Sequence, residues 1–240
     1  MSALIFDIET VGENFDELDE TTKENLTHWI KRTSTSDDEF KLSLEDIKNG
    51  MGLSPLTGEI VAIGVLDYAK DEGAVYFQAP GKNPPAGGEE FKDGGIKFEQ
   101  MGEKEMLEKF WKLAEKYDEF VSFNGRGFDV PFMMARSAVH RVRPSKDLMS
   151  NRYLSSQKYG ALHIDLLDQL SFYGSVRKKG SLHLWSRAMG IKSPKAEGVT
   201  GDDVAKLFKE KKFMEIAKYN VGDIRATREL YKIWNEFFKI

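Results

Sequence analysis

The first apolar run of the chain, Leu4-Ile5-Phe6-Asp7-Ile8-Glu9, ends in two acids. On an extended strand, residues two apart project to the same face, so Asp7 and Glu9 stand side by side. Paired carboxylates at the end of an apolar strand repel each other and are poorly solvated. A hard divalent cation such as Mg2+ or Mn2+ relieves both problems, because it takes oxygen ligands. Taken singly, an Asp-x-Glu pair is more simply read as a strand end meeting solvent.

A second candidate set is Phe123-Asn124-Gly125-Arg126-Gly127-Phe128-Asp129-Val130-Pro131-Phe132. Asn124-Gly125 is a turn signal, and Asp129 followed by Pro131 resembles a helix N-cap. A loop-to-helix junction explains that much. It leaves unexplained an Asn and an Asp displayed directly after an apolar run, with two glycines permitting close backbone approach. In the third set, Tyr219-Asn220-Val221-Gly222-Asp223, the tyrosine and the final aspartate are four apart and share one helical face. Gly222 costs that helix about 1 kcal/mol relative to Ala, which makes sense where something must come close. The plain alternative is a packed tyrosine beside an exposed acid.

These side chains need elements to hold them. Leu4 to Glu9, Ile60 to Leu66, Ala74 to Ala79 and Glu119 to Phe123 read as strands, with a turn at Asp71-Glu72-Gly73 and a fifth strand plus helix over His163 to Phe172. Residues 13–57 form a charged insertion containing two helices and a loop, and Pro80 to Gly95 reads as loop. A helical stripe spans Glu103 to Tyr117, and further helices are predicted from about Val130, over Ser181 to Met189, Asp202 to Phe208 and Phe213 to Phe238. Three antiparallel strands followed by alternating helix and strand predict one α/β domain over residues 1–240, a mixed sheet flanked by helices.

Composition narrows the chemistry. There is no cysteine, which excludes disulfides and thiolate chemistry and suits a cytoplasmic setting. No run is long and apolar enough for a membrane helix, and the start lacks the basic region of a signal peptide. The net charge is −4, unevenly spread: residues 1–60 hold 14 acids against 5 bases. Arg136, Arg141, Arg143, Lys146, Arg152 and Lys158 face only Asp147 in their stretch, and Arg177, Lys178 and Lys179 form a second basic cluster. Such patches permit a polyanion without demanding one. His163 is read as a satisfied core histidine, and His28, His140 and His183 lack zinc-ligand spacing. Trp111, Trp185 and Trp234 sit among apolar neighbours as core residues.

In combination and in this order, Asp-x-Glu, Asn-x4-Asp and Tyr-x3-Asp resemble the motifs of the DEDDy group of 3′–5′ exonucleases, which includes the proofreading domains of family B DNA polymerases. The likeness runs from Leu4 to about Tyr231 and is thinnest over residues 13–57. Leu162-His163-Ile164-Asp165-Leu166-Leu167 and Ser181-Leu182-His183-Leu184 also look like stretches of stand-alone polymerase-B-exonuclease-like members. The sister DEDDh group has a histidine where this chain has Lys218, so the tyrosine subclass fits.

The resemblance implies a ribonuclease H-like fold and two divalent ions, Mg2+ or Mn2+, held by Asp7, Glu9, Asp129 and Asp223, with Asp7 shared between them. It implies that Tyr219 orients the attacking water, that Asn124 bonds the terminal nucleotide and that Phe128 stacks on a base. The expected reaction is stepwise hydrolysis from the 3′ end of single-stranded DNA, releasing 5′-mononucleotides. An exoribonuclease of the same fold and an inactive nucleic-acid-binding module are the alternatives. Any proofreading role is expected to be exercised in trans, with a partner polymerase or repair factor.

Overall fold

A computed structural model of the chain describes residues 2–81, 91–192 and 201–239. Among these residues seven strands form one mixed sheet: β1 (Ala3–Gly12), β2 (Gly58–Asp67), β3 (Glu72–Phe77), β4 (Phe91–Asp93), β5 (Ile96–Gln100), β6 (Glu119–Ser122) and β7 (Leu162–Asp165). Their order across the sheet is β4-β5-β3-β2-β1-β6-β7. β2 runs antiparallel to β1 and β3, while β6 and β7 run parallel to β1. This is the predicted α/β arrangement, extended at one edge.

That edge is the difference from expectation. Pro80 to Gly95 reads as loop; residues 82–90 lie outside the described residues, but β4 falls within the stretch and β5 follows it. The two strands form a hairpin, and β5 pairs in parallel with β3. Ile96-Lys97-Phe98-Glu99-Gln100 offers only two apolar side chains, both buried, beside a glycine-rich stretch, so its strand pattern is faint. Gly94 and Gly95 make the turn with φ of +53° and +84°, a backbone that favours glycine.

β1 is buried on both sides, as a central strand between helical layers must be. Leu4, Phe6 and Ile8 feed one core, shared with Phe110 of α3 (Glu103–Ala114) and Phe132 of α4 (Asp129–Val139). Ala3 and Ile5 feed the other, shared with Ile216, Ile224 and Leu230 of α8 (Phe213–Phe237). By the two-residue alternation Asp7 and Glu9 belong to the α8 side. The insertion holds α1 (Glu20–Thr33) and α2 (Asp37–Gly50), capped by Asp19 and Ser36. After β7 come α5 (Leu166–Leu170), α6 (Leu182–Ala188) and α7 (Val204–Lys209). No helix among the described residues is long and apolar enough to cross a membrane.

Candidate metal centre

Three elements converge on one spot. β1 delivers Asp7 and Glu9, and α8 crosses the same face of the sheet to deliver Tyr219, Asn220 and Asp223. One carboxylate oxygen from each of Asp7, Glu9 and Asp223 lies within 4.8 Å of the others. Asp129 comes from the junction of β6 with α4. It is not an N-cap, as its spacing suggested, but the first residue of the helix, and Phe128 occupies the cap position without a side-chain bond. The Asp129 carboxylate turns instead to β1, where its Oδ1 accepts the backbone N–H of Ile8 at 3.0 Å. That amide lies between the two acids of the strand.

The electrostatics follow from the crowding. Burial raises the Asp7 carboxyl well above its ordinary range, and the charges of Asp129, Asp223 and Glu9 raise it further. Glu9 is raised for the same reasons, burial first and Asp223 next. Burial lifts Asp129 to about 7, although the Ile8 amide opposes the rise. Three acids within 4.8 Å of one another, with the charge of Asp129 also acting on Asp7, cannot all be ionised cheaply without a cation. The donor set is all carboxylate oxygen, which fits Mg2+ or Mn2+ and does not fit a soft metal. Burial, then the charges of Asp223, Glu9 and Asp7, keep the Tyr219 phenol protonated, and its hydrogen bond with Asp223 adds to this.

Two residues here were not singled out in the sequence. Asn220 is fully buried, and its Nδ2 donates to Asp7 Oδ2 at 2.8 Å and reaches Glu9 Oε1 at 3.4 Å. Gly64 of β2 pairs with Asp7 across the sheet and faces the Asn220 side chain. A glycine amid Ile60-Val61-Ala62-Ile63-Gly64-Val65-Leu66 was the signal available, since glycine in a strand interior often marks a close approach.

The loop after β6 is held by Asp165, at the end of β7. Its carboxylate accepts the backbone N–H groups of Asn124 and Arg126 at 2.9 Å each and of Leu167 at 3.0 Å. Asn124 is exposed and sits at φ +63°, where few side chains other than Asn and Asp are tolerated. Phe128 is half-buried, its ring 5.5 Å from that of Phe132. His163 is buried beneath the loop, bonded to Ser122 Oγ at 2.8 Å and to the Leu148 carbonyl at 3.1 Å. Burial lowers its pKa to about 3, so it is a neutral core residue, as expected.

The first basic stretch is largely spoken for. Arg136 binds Glu103, Arg152 binds Asp168, Lys146 lies 3.7 Å from Asp118 and Lys158 lies 3.8 Å from Asp147. Most of these partners stand outside the stretch in sequence, which is why the linear count overstated its free charge. Arg177, Lys178 and Lys179 are exposed.

A family model described as a predicted 3′–5′ exonuclease related to the exonuclease domain of PolB matches residues 86–237. That span contains Asp129, Tyr219 and Asp223, while Asp7 and Glu9 precede it. DNA polymerase 1 of Sulfolobus acidocaldarius is 24% identical over 169 residues, covering 67% of this chain and 19% of the polymerase. The family B DNA polymerase of Pyrobaculum calidifontis shares the fold, with a TM-score of 0.57 and 17% identity over 99% of this chain and 25% of that one. The chain therefore spans about a fifth to a quarter of the length of these relatives.

Proposed function

The chain belongs to the family of predicted 3′–5′ exonucleases related to the exonuclease domain of PolB, and from that premise we propose that it hydrolyses single-stranded DNA from the 3′ end with two divalent ions. The observation that carries this reading is the convergence of Asp7, Glu9 and Asp223 within 4.8 Å, with Asp129 raising the Asp7 carboxyl by its charge. Asp7, Glu9 and Asp223 would hold one ion, and Asp7 with Asp129 a second. Divalent ions bound there supply Lewis-acid activation of water and neutralise charge on the phosphate and the departing 3′ oxygen.

The chain's own groups orient and bind. Tyr219, kept protonated by burial and its acidic neighbours, donates a hydrogen bond that aims the attacking water instead of taking its proton. Asn124, exposed on a loop pinned by Asp165, hydrogen-bonds the terminal nucleotide. Phe128, half-buried against the core, stacks its exposed part on a base. Water attacks phosphorus, the bond from phosphorus to the 3′ oxygen breaks, and a 5′-mononucleotide leaves.

DNA is proposed over RNA because the relatives are DNA polymerases. A place in DNA repair, in the cytoplasm and with a partner polymerase or repair factor, is consistent with that substrate. The test is digestion of matched 5′-labelled and 3′-labelled single-stranded DNA and RNA oligomers, with Mg2+, with Mn2+ and with EDTA. Metal-dependent laddering from the 3′ end, faster on DNA, is the expected result. Preference for RNA would overturn the substrate, and absence of 3′ trimming with either metal would overturn the activity.

A further inference from the structure

We infer that Asn220 and Gly64 act as one unit that positions Asp7 and Glu9 for a divalent cation; this rests on the reading of those acids as metal ligands. The amide group of Asn220 carries two hydrogens. Its Nδ2 donates to Asp7 Oδ2 at 2.8 Å and lies 3.4 Å from Glu9 Oε1. Ionised carboxylates only accept hydrogen bonds, so the NH2 end must face them and Oδ1 must point the other way. There it meets no donor: Asn220 Oδ1 is buried without a hydrogen-bond partner. A buried carbonyl oxygen left unpaired is costly, and native proteins rarely keep one without a reason.

The space for that oxygen comes from Gly64. A β carbon there would lie 1.9 Å from Asn220 Oδ1 and 3.0 Å from its Cγ. Gly64 is not among the glycines with positive φ, so the backbone itself does not require glycine at this position. Glycine in a strand interior is unfavourable in its own right. Two locally unfavourable features thus meet at one place, and together they seat a neutral double donor beside the acid pair.

Neutrality matters. A lysine or arginine in this position would also relieve the repulsion, but it would cancel the charge that attracts a cation. The amide binds one oxygen of each acid, fixes their rotamers and leaves the remaining oxygen of each for a ligand. Groups that orient ligands in this way commonly govern metal affinity.

The experiment is Mn2+ binding to the full chain by isothermal titration calorimetry, with circular dichroism to verify the fold. Asn220→Ala is expected to weaken Mn2+ binding about 10–100-fold. Gly64→Ala should do the same by expelling the amide. In the double variant the new methyl enters emptied space, needing only a small shift of the Ile224 methyl at 3.1 Å. Its affinity should therefore match that of Asn220→Ala alone. Should Gly64→Ala alone fail to fold, recovery of the fold in the double variant reports the same coupling. The unit is overturned if Asn220→Ala binds Mn2+ within about twofold of wild type, if the two losses multiply, or if the double variant also fails to fold. Those results leave the metal reading standing, whereas a wild-type chain that takes up no Mn2+ overturns both.

Discussion

Two of the places where the molecule buries carboxylates are treated in opposite ways. Glu103, at the start of α3, is 6% exposed yet saturated with donors. Its Oε1 accepts the Ile60 amide and Arg136 Nε, both at 2.8 Å, and its Oε2 accepts Arg136 Nη2 at 2.7 Å and meets His140 Nε2 at 2.6 Å. Burial alone would raise its pKa, but the bonds from Arg136, Ile60 and His140 together hold it below the usual range. At the candidate metal centre Asp7 and Glu9 share one neutral amide, face each other and Asp223, and are raised. A buried acid that brings its own cation is structural. A buried cluster that brings none is arranged for a cation from outside.

The sharpest way to break this comparison is to remove one acid from each place. Asp7→Ala or Asp223→Ala should cut Mg2+-dependent cleavage by on the order of 10³-fold or more, since ligand loss forfeits several kcal/mol of charge stabilisation. Because each variant also deletes a repelling charge, its metal-free melting temperature should equal or exceed that of wild type. Nuclease assay and calorimetry on the same preparations check both halves. A variant that keeps its activity would remove that acid from the site.

Glu103→Ala should behave in reverse. It strands the Arg136 guanidinium and the Ile60 amide, and breaking a buried ion pair costs about 3–5 kcal/mol. Urea unfolding should report that loss, while the turnover of the protein that remains folded is unchanged. A loss under about 1 kcal/mol would mean the network is solvated and the contrast is false.

How much of this was legible beforehand follows from the range over which each feature is encoded. β1, β2 and α8 are long and patterned, so their residues announce them; β5 carries two apolar side chains and does not. The carboxylates stand out because acids at the end of an apolar strand, or four residues from a tyrosine, are odd locally. Asn220 and Gly64 are odd only together, across pairings between β1, β2 and α8 that no local window contains. Asp165 likewise looked like part of a motif, and its work on the backbone of Asn124 and Arg126 is visible only in three dimensions. Charge misled for the same reason, because the partners of Arg136 and Lys146 come from distant stretches.

The two clusters should also respond oppositely to pH. Asp129 titrates at about 7 in the folded chain, against an ordinary value of 3.8. The folded state holds that proton more tightly, so its contribution to stability is complete below about 4 and is lost as pH rises through 7. Glu103, held below its ordinary 4.5, contributes above that value and loses its contribution as pH falls through its lowered pKa. In EDTA, wild-type stability should therefore decline between pH 5 and 8 by more than that of Asp129→Asn, and Mn2+ should restore it at pH 8. Thermal unfolding at both values is the measurement, and an equal decline in the two proteins would show that burial does not raise Asp129 in the folded chain.

The smallest expected effect concerns Tyr219, a neutral donor inside the donor-poor cluster. If it only aims the water, Tyr219→Phe forfeits about one hydrogen bond, roughly 1–1.5 kcal/mol, and slows turnover about five- to tenfold. Its phenol is raised above its ordinary 10 by burial and by the charges of Asp223, Glu9 and Asp7. It therefore stays protonated across the working range, and the shape of the pH–rate profile should be the same with and without it. A profile that loses its alkaline or acidic limb in the variant would make Tyr219 a proton carrier, and the acids around it would then be tuning a base as well as holding a cation.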